Sequence, residues 1–225
     1  MRPVAHIYTD FPEKFGVPRQ SGRVCGLVGR VVFEKDYAMP EALRGIEGFS
    51  HLWLLWGFSL TRAEGWSPTV RPPRLGGNKR VGVFASRSPN RPNPIGLSAV
   101  RLLAVSREKG ELSLLVEGAD IVNGTPIYDI KPYLAAADSI PDAVDGFAAE
   151  HVDHKLTVDC PQDLLEKLPE DKREALLGVL SDDTRPGYKH GEERYGLSFA
   201  GFSVAFYVDA DEVLHVTDIE KERKK

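Results

Sequence analysis

The sequence has little cysteine and no long apolar run. Only two cysteines, Cys25 and Cys160, occur in the 225 residues, and they are far apart without Cys-x-x-Cys spacing. We therefore expect two reduced thiols, as in a cytoplasmic protein, rather than a disulfide framework. Residues 1–6 carry no apolar signal core, and no apolar run approaches the ~20 residues that cross a bilayer. We expect no membrane partner.

Several common site motifs are missing as well. There is no P-loop, and the glycine pair Gly26 and Gly29 is not followed by a helical pattern, which argues against a Rossmann nucleotide site. No Gly-x-Ser-x-Gly nucleophile elbow can be found. His151 and His154 lie three residues apart, but a metal site needs more ligands than these two. We expect them to be structural or surface residues, and we expect no metal.

Charge is distributed unevenly along the chain. The formal net charge is -4, yet residues 71–107 contain eight arginines and lysines and no aspartate or glutamate. That segment carries +8, so the rest of the chain carries -12 (-4 minus 8). A local cationic field of this kind can attract a polyanion. The other interpretation is an ordinary solvated basic face, and charge alone leaves both open.

The first part of the chain has the pattern of a mainly β protein. Short apolar or alternating segments, separated by glycine and proline, predict strands; they cover residues 4–9, 23–33, 51–58, 81–85, 97–105, 111–117 and 127–133. The run at 51–58 is nearly all apolar, which predicts a strand buried on both faces. Only residues 40–45 look weakly helical here. Many short strands with such punctuation favour a β-sandwich or a closed barrel.

The pattern changes near residue 140. Residues 161–167 and 169–180 have helical periodicity with a proline near each start. Residues 199–208 and 213–219 read as a strand pair joined by a polar turn. We therefore predict a β domain over residues 1–140 and a smaller α+β domain over residues 141–225.

The loop at residues 86–96 is the strongest candidate for a built site. It contains three prolines, two arginines and two asparagines directly after an apolar segment. Proline fixes φ and restricts the residue before it, so the loop has little freedom. Guanidinium and amide groups held in a stiff loop suit an anionic or nucleotide-like ligand.

Six segments together resemble one family. They are residues 14–20, 48–53, 66–78, 91–96, 124–134 and 183–189, and they are similar to motifs of the TsaA-like β-barrel methyltransferases. The match covers about residues 3–140 and continues into the C-terminal part. The resemblance implies a small β-barrel rather than a Rossmann fold, with a smaller C-terminal α+β domain.

The resemblance also implies an activity. Members of the family use S-adenosylmethionine as methyl donor, act as homodimers in the cytoplasm, and methylate N6 of threonylcarbamoyl-adenosine at position 37 of a threonine tRNA. The anticodon loop is then the partner, and no metal is needed. Two alternatives remain: a non-catalytic adenosine-ligand sensor or RNA-binding module on the same barrel, and a methyltransferase with another substrate.

By resemblance, the cofactor-binding residues are Pro18, Arg19, Gln20, Ser59, Leu60, Arg87, Leu97, Glu117, Gly118, Ala119 and Asp120. Each type makes chemical sense: an arginine can pair with the cofactor's carboxylate, and an aspartate can accept from a ribose hydroxyl. Ser59 and Leu60 stand where the bacterial member of the family has His-Gln, so we expect only a backbone contact there.

The remaining candidates concern catalysis and RNA. Asp129 and Asp120 are candidates to orient the N6–H or accept its proton; the other interpretation is that they only brace a loop. Cationic and aromatic side chains can contact phosphates or stack on loop bases. The RNA-binding candidates are Lys79, Arg80, Arg91, Lys131, Arg185, Tyr188 and Lys189.

Overall fold

The structure, a computed structural model, describes residues 1–60, 66–72, 79–108, 110–151, 154–185 and 193–222. The strands are β1 (Ala5–Tyr8), β2 (Val28–Phe33), β3 (His51–Gly57), β4 (Thr69–Val70), β5 (Val81–Gly82), β6 (Ile95–Glu108), β7 (Glu111–Glu117), β8 (Thr125–Pro132), β9 (Thr157–Asp159), β10 (Tyr195–Phe199), β11 (Phe202–Val208) and β12 (Val213–Lys221). The α-helices are α1 (Ala135–Asp138), α2 (Gln162–Leu165) and α3 (Glu170–Ser181). Short 3₁₀ helices cover Lys35–Tyr37, Pro40–Leu43, Ile46–Gly48, Val83–Ala85 and Gly146–His151.

Six strands form a closed barrel in the order β1-β2-β7-β6-β3-β8. All of its neighbouring pairs are antiparallel, and β8 returns to pair with β1 through Ile127 opposite Ala5. Closure lets each barrel strand pair on both sides, so the sheet has no open edge. The prediction of a mainly β protein is confirmed.

The barrel interior is filled by one face of each strand, since successive side chains alternate. In β3, Leu52, Leu54 and Trp56 point into the core. Trp53 points outward, where its indole N–H donates to Asp138 at 3.0 Å. The prediction that this strand is buried on both faces was therefore wrong: the strand belongs to a barrel, and the outer face of this apolar run is only partly covered.

A second sheet is built from the C-terminal part of the chain. Its order is β10-β11-β12-β9, with β9 parallel to β12 and the other pairs antiparallel. Helix α3 covers this sheet with its buried residues Ala175, Leu176, Val179 and Leu180. The polar turn at residues 209–212 joins β11 to β12, as the sequence pattern indicated.

The second core also takes in residues from the start of the chain. The loop between β1 and β2, residues 9–27, places Phe11, Val24 and Leu27 among the buried side chains of the second sheet. Packing therefore crosses the predicted boundary at residue 140. The division into domains 1–140 and 141–225 stays a prediction.

Some predicted strands differ from the structure. Residues 23–27 are not a strand, because the chain turns there toward the second core. Residues 81–85 are strand only at Val81–Gly82 and continue as a 3₁₀ turn that buries Val83. The predicted helix at 40–45 is a short 3₁₀ turn, and β10 was missed.

Among the described residues, no helix has the length and apolar character needed to span a membrane. The two cysteines are free.

We expect Gly16→Ala to destabilise the fold through the contact between the β1–β2 loop and β10. Gly16 has φ +91°, and a Cβ there would lie 2.0 Å from a methyl carbon of buried Leu197. The variant should lose about 2–4 kcal/mol of unfolding free energy, from backbone strain plus overpacking. Urea denaturation measures this loss.

Gly45→Ala is the matched control. Gly45 has a similar φ of +87°, but no atom lies within 4 Å of the place that a Cβ would occupy. It should lose only the strain, about 1–2 kcal/mol. Equal losses for the two variants would show that Leu197 does not press on this loop.

Candidate cofactor site

A cavity of about 500 Å³ opens where the β1–β2 loop, the end of β3, the residue 86–96 loop and the start of β6 meet. Eight of the predicted cofactor residues line it: Pro18, Arg19, Gln20, Ser59, Leu60, Arg87, Leu97 and Asp120. They come from separate stretches of the chain, which the barrel brings to one place. The volume lies within the range of ligand sites for molecules of drug size.

The residue 86–96 loop is stiffened by short local hydrogen bonds as well as by its prolines. Arg91 N donates to Pro89 O at 2.9 Å, and Ile95 N donates to Asn93 O at 2.8 Å. Phe58 N donates to Pro94 O at 3.0 Å, which ties the loop to the segment after β3. The wall of the cavity that carries Arg87 and Arg91 is therefore stiff, and its Pro94 end is attached to the segment after β3.

A chain of hydrogen bonds fixes the polar floor of the cavity. The indole N–H of Trp56 donates to Ser98 Oγ at 2.9 Å, and Ser98 Oγ donates to Asp120 Oδ1 at 2.5 Å. Gly96 makes room for the indole, because a Cβ there would lie 2.2 Å from Trp56 Cε2. Asp120 therefore has one oxygen held by the protein.

Asp120 is largely buried, and this changes its acidity. Burial raises the pKa of the Asp120 carboxyl above its usual value, while the hydrogen bond from Ser98 and the charge of Arg87 oppose the rise. A carboxylate with a raised pKa is a better proton acceptor and a stronger hydrogen-bond acceptor. It is therefore the carboxylate in this cavity with the chemistry expected of a base.

The cationic side of the cavity is held by amide and carbonyl groups. Arg87 donates to the side-chain oxygen of Gln20, joining two predicted cofactor residues from distant parts of the chain. Arg19 Nη2 donates to the carbonyl oxygens of Arg185, at 2.6 Å, and of Asp183, at 3.4 Å. The C-terminal part of the chain therefore orients an arginine that lines the cavity.

Asp183 is the centre of the contact that orients Arg19. Its carboxylate accepts from Arg185 Nε at 2.7 Å and Nη2 at 3.1 Å and lies 3.3 Å from His154 Nε2. Burial raises the pKa of Asp183, but the hydrogen bonds and charge of Arg185 outweigh it, so the pKa lies below its usual value. The ion pair fixes the backbone whose carbonyls hold Arg19.

Three predicted cofactor residues lie beside the cavity rather than in its lining. Glu117 accepts from Gly26 N at 3.0 Å, and Ala119 is buried in the barrel core. Gly118 exchanges backbone hydrogen bonds with the β1–β2 loop, donating to Leu27 O and accepting from Gly22 N, both at 2.9 Å. These residues brace the loop and Asp120.

Asp129 lies outside the cavity lining. Its side chain is half-exposed and pairs with Lys131 at 2.8 Å on the surface of β8. The geometry therefore does not support Asp129 as the base, and it gives Lys131 a carboxylate partner. Of the two catalytic candidates, Asp120 lines the cavity and Asp129 does not.

The predicted RNA-binding residues are spread over several places. Arg91 lines the cavity. Lys79 and Arg80 are exposed and precede the residue 86–96 loop in the chain. The Arg185 side chain is only 12% exposed because Asp183 holds it, so it has an internal structural role. Tyr188 and Lys189 lie outside the described residues.

Other lining residues were not predicted. They are mostly apolar or small, and include Lys14, Val17, Trp56, Phe58, Ser86, Pro89, Ile95, Gly96, Val122 and Thr125. Trp56 could have been suspected from the tryptophan-rich strand. Ser86, Pro89, Ile95 and Gly96 belong to the residue 86–96 loop that the sequence had singled out as a whole. The remaining residues carry no local signal, because they line the cavity only after the strands have paired. No cluster of three metal-ligating side chains occurs in the part of the chain that the structure describes.

Comparison with known proteins identifies relatives of this chain. The model of the tRNA-methyltransferase O N-terminal domain family matches residues 6–139. The chain is 46% identical over 193 residues to a tRNA (adenine(37)-N6)-methyltransferase of Escherichia coli, covering 83% of this chain and 82% of that protein. It is 35% identical to a Pseudomonas aeruginosa protein named putative S-adenosylmethionine-dependent methyltransferase RcsF, over 96% of each.

A solved structure also matches nearly the whole chain. The crystal structure of TrmO from P. aeruginosa superposes with a TM-score of 0.77 at 30% identity, covering 97% of this chain and 95% of that one. The likeness therefore includes the C-terminal sheet as well as the barrel.

We expect Asp120→Asn to keep or increase stability at neutral pH. The folded-state pKa of Asp120 is raised, so its ionised form opposes folding above that pKa, and the penalty disappears as the pH falls toward 3.8. Asparagine keeps an acceptor for Ser98 without the charge. The difference in unfolding free energy between variant and wild type, measured by urea denaturation, should therefore be largest near pH 7 and shrink as the pH falls.

Asp129→Asn is the control for the substitution itself. Its half-exposed carboxylate pairs with Lys131 outside the cavity, and the variant should change the unfolding free energy at pH 7 by less than about 1 kcal/mol. If Asp120→Asn instead loses stability at pH 7, the charged hydrogen bond to Ser98 outweighs burial.

We expect Asp183→Ala to lose about 2–4 kcal/mol of unfolding free energy, because it leaves the nearly buried Arg185 guanidinium without its carboxylate. Thermal and urea denaturation measure the loss. Lys167→Ala, which removes an exposed pair with Asp218, should cost less than about 1 kcal/mol. Equal effects would mean that the Asp183 pair behaves as a surface pair.

Proposed function

The chain belongs to the tRNA-methyltransferase O family, and we propose that it is an S-adenosylmethionine-dependent enzyme that methylates N6 of the adenine at position 37 of tRNA. One observation carries the proposal beyond the family: eight residues expected to bind the cofactor converge on one cavity. We further propose that the substrate base is threonylcarbamoyl-adenosine, as the sequence resemblance implies.

The chemistry of the cavity fits S-adenosylmethionine. Arg19 and Arg87 offer cationic groups for the amino-acid carboxylate, and the half-exposed Leu97 offers an apolar surface for the adenine. The carboxylate of Asp120 lines the cavity and can accept a hydrogen bond from a ribose hydroxyl or an ammonium group. Both ends of a zwitterionic nucleoside therefore find complementary groups in about 500 Å³.

When bound, the cofactor would supply an electrophilic methyl group on a sulfonium, which N6 can take with loss of its proton. The residues of this chain have two tasks. The stiff residue 86–96 loop and the pair of Arg87 with Gln20 hold the two reactants in line, an effect that can contribute several kcal/mol to the rate. The raised pKa of Asp120 supports a role for its carboxylate in orienting or accepting the N6 proton.

Binding of tRNA is supported by charge. Arg91 lies on the cavity wall, and Lys79 and Arg80 are exposed in a segment that carries no acidic residue. Such groups can contact the phosphates of an anticodon loop. Because the rest of the chain carries a net negative charge, attraction to RNA is confined to this segment.

We also propose a homodimer that works in the cytoplasm. The family resemblance implies the dimer. A tRNA substrate and two free thiols fit the cytoplasm.

The deciding experiment is methyl transfer in vitro. We expect the protein to move labelled methyl from S-adenosylmethionine to tRNA carrying threonylcarbamoyl-adenosine, with the product nucleoside identified by mass spectrometry after digestion. Unmodified tRNA should accept at least roughly 10-fold less label, since a site built to hydrogen-bond a substituent rejects the analogue that lacks it. Asp120→Asn should lower transfer by roughly 100-fold or more while the protein stays folded.

Two results would contradict the proposal. If calorimetry detects neither S-adenosylmethionine nor its demethylated product binding to folded protein, the cofactor assignment is wrong. If label appears only in another RNA, the enzyme class stands but the substrate does not.

A further inference from the structure

Two aromatic side chains lie side by side on the surface near the cavity. Trp66 is 53% exposed and Phe84 is 75% exposed, and their ring centroids are 6.5 Å apart. Large aromatic rings bury much area when they find a partner. An exposed pair therefore marks a contact surface more strongly than single exposed apolar residues do. We call Trp66 and Phe84 the aromatic platform.

The platform is held by a small ribbon. Strands β4 and β5 pair through Thr69 with Gly82 and Val70 with Val81, and Val83 N extends the ladder by donating to Pro68 O at 2.9 Å. Val83 itself is buried, and Ser86 N and Oγ both donate to its carbonyl. Phe84 lies between Val83 and Ser86, whose hydrogen bonds fix the backbone on either side of it, and its ring is exposed.

The same ribbon carries positive charge. Continuing the antiparallel register one step past Val70 and Val81 places Arg71 opposite Arg80, and both are exposed. Arg80 Nη1 also donates to Thr69 Oγ1 at 3.1 Å, which keeps its guanidinium on the ribbon. Lys79 follows, and residues 66–107 contain no acidic residue. A cationic ribbon suits a polyanion rather than an apolar protein surface.

The ribbon leads directly into the cavity. Phe84 is two residues before Ser86 and three before Arg87, and both of these line the cavity. At no more than about 3.6 Å per residue, the Phe84 backbone lies within roughly 7 Å of that of Ser86. The backbone that carries Phe84 therefore lies next to the residues of the cavity wall.

We propose that the aromatic platform stacks on an unpaired base next to the base that is methylated, while Arg71, Lys79 and Arg80 contact the neighbouring phosphates. The inference rests on the proposed function and assigns the single-stranded part of the tRNA substrate a place on the protein. Aromatic rings beside cations are the usual means of holding single-stranded RNA, because every base has a face that can stack. Stacking there would also help keep the target base out of its own stack.

The test compares RNA and cofactor binding in matched variants. Phe84→Ala and Trp66→Ala should each weaken binding of an anticodon stem-loop by roughly 5- to 100-fold in fluorescence anisotropy. Phe84→Tyr, which keeps a stacking ring, should bind within about 2-fold of wild type. Phe49→Ala, which removes an exposed phenylalanine outside the ribbon, is the control and should not change RNA binding.

Salt dependence separates stacking from charge. Arg80→Ala should reduce the slope of log affinity against log salt by about one, as expected for one lost phosphate contact. Phe84→Ala should leave that slope unchanged. Binding of S-adenosylmethionine by calorimetry and thermal unfolding should be unaffected in Phe84→Ala, because its side chain is exposed and does not line the cavity.

Three outcomes would overturn the inference. They are unchanged RNA affinity in both alanine variants, an equal loss in Phe84→Tyr, or dissociation of a dimer by Phe84→Ala with RNA affinity per protomer retained, which would show that a second copy covers the platform. Failure of the proposed function looks different: wild-type protein would bind the stem-loop through the platform but transfer no methyl group.

Discussion

The site depends on how the β1–β2 loop is held from two sides. On one side, Gly22 and Leu27 exchange backbone hydrogen bonds with Gly118 at the end of β7. On the other, Phe11 and its neighbours pack into the second core, and Lys172 pairs with Asp10 at 2.7 Å. Pro18, Arg19 and Gln20 lie between these attachments. The cavity wall they form therefore exists only while barrel and C-terminal sheet are both in place.

A second constraint is the conflict between burial and charge at Asp120. Burial makes its carboxylate a stronger acceptor but opposes its ionisation. The bonds from Trp56 to Ser98 and from Ser98 to Asp120 reduce this cost and fix one oxygen. Asp120 is therefore an oriented hydrogen-bond acceptor in the lining of the cavity. Such local destabilisation is typical of sites that do chemistry.

The sequence allowed most of the barrel strands and the stiff loop at residues 86–96 to be predicted, because apolar alternation and proline-rich loops are local signals. The eight residues found in the cavity were recognised through motif resemblance, and their chemistry agrees with their places. For two other candidates the structure adds a contact that the sequence did not show. Asp129 and Arg185 have suitable side chains, but each is paired within the protein, with Lys131 and Asp183. Sequence alone does not show whether a charge already has a partner.

Composition and pattern by themselves determined that the chain is mainly β and that a stiff cationic loop lies at residues 86–96, since these depend on neighbours along the chain; the family came from the resemblance of several motifs. Tertiary structure alone decided which of two aspartates faces the cavity, that Glu117 and Gly118 brace rather than line it, and that Arg19 is oriented by carbonyls 164 and 166 positions away in the chain. The physical reason is that burial and hydrogen-bond partners are set by contacts between distant segments. Those contacts are fixed only when the barrel closes and the two cores pack together.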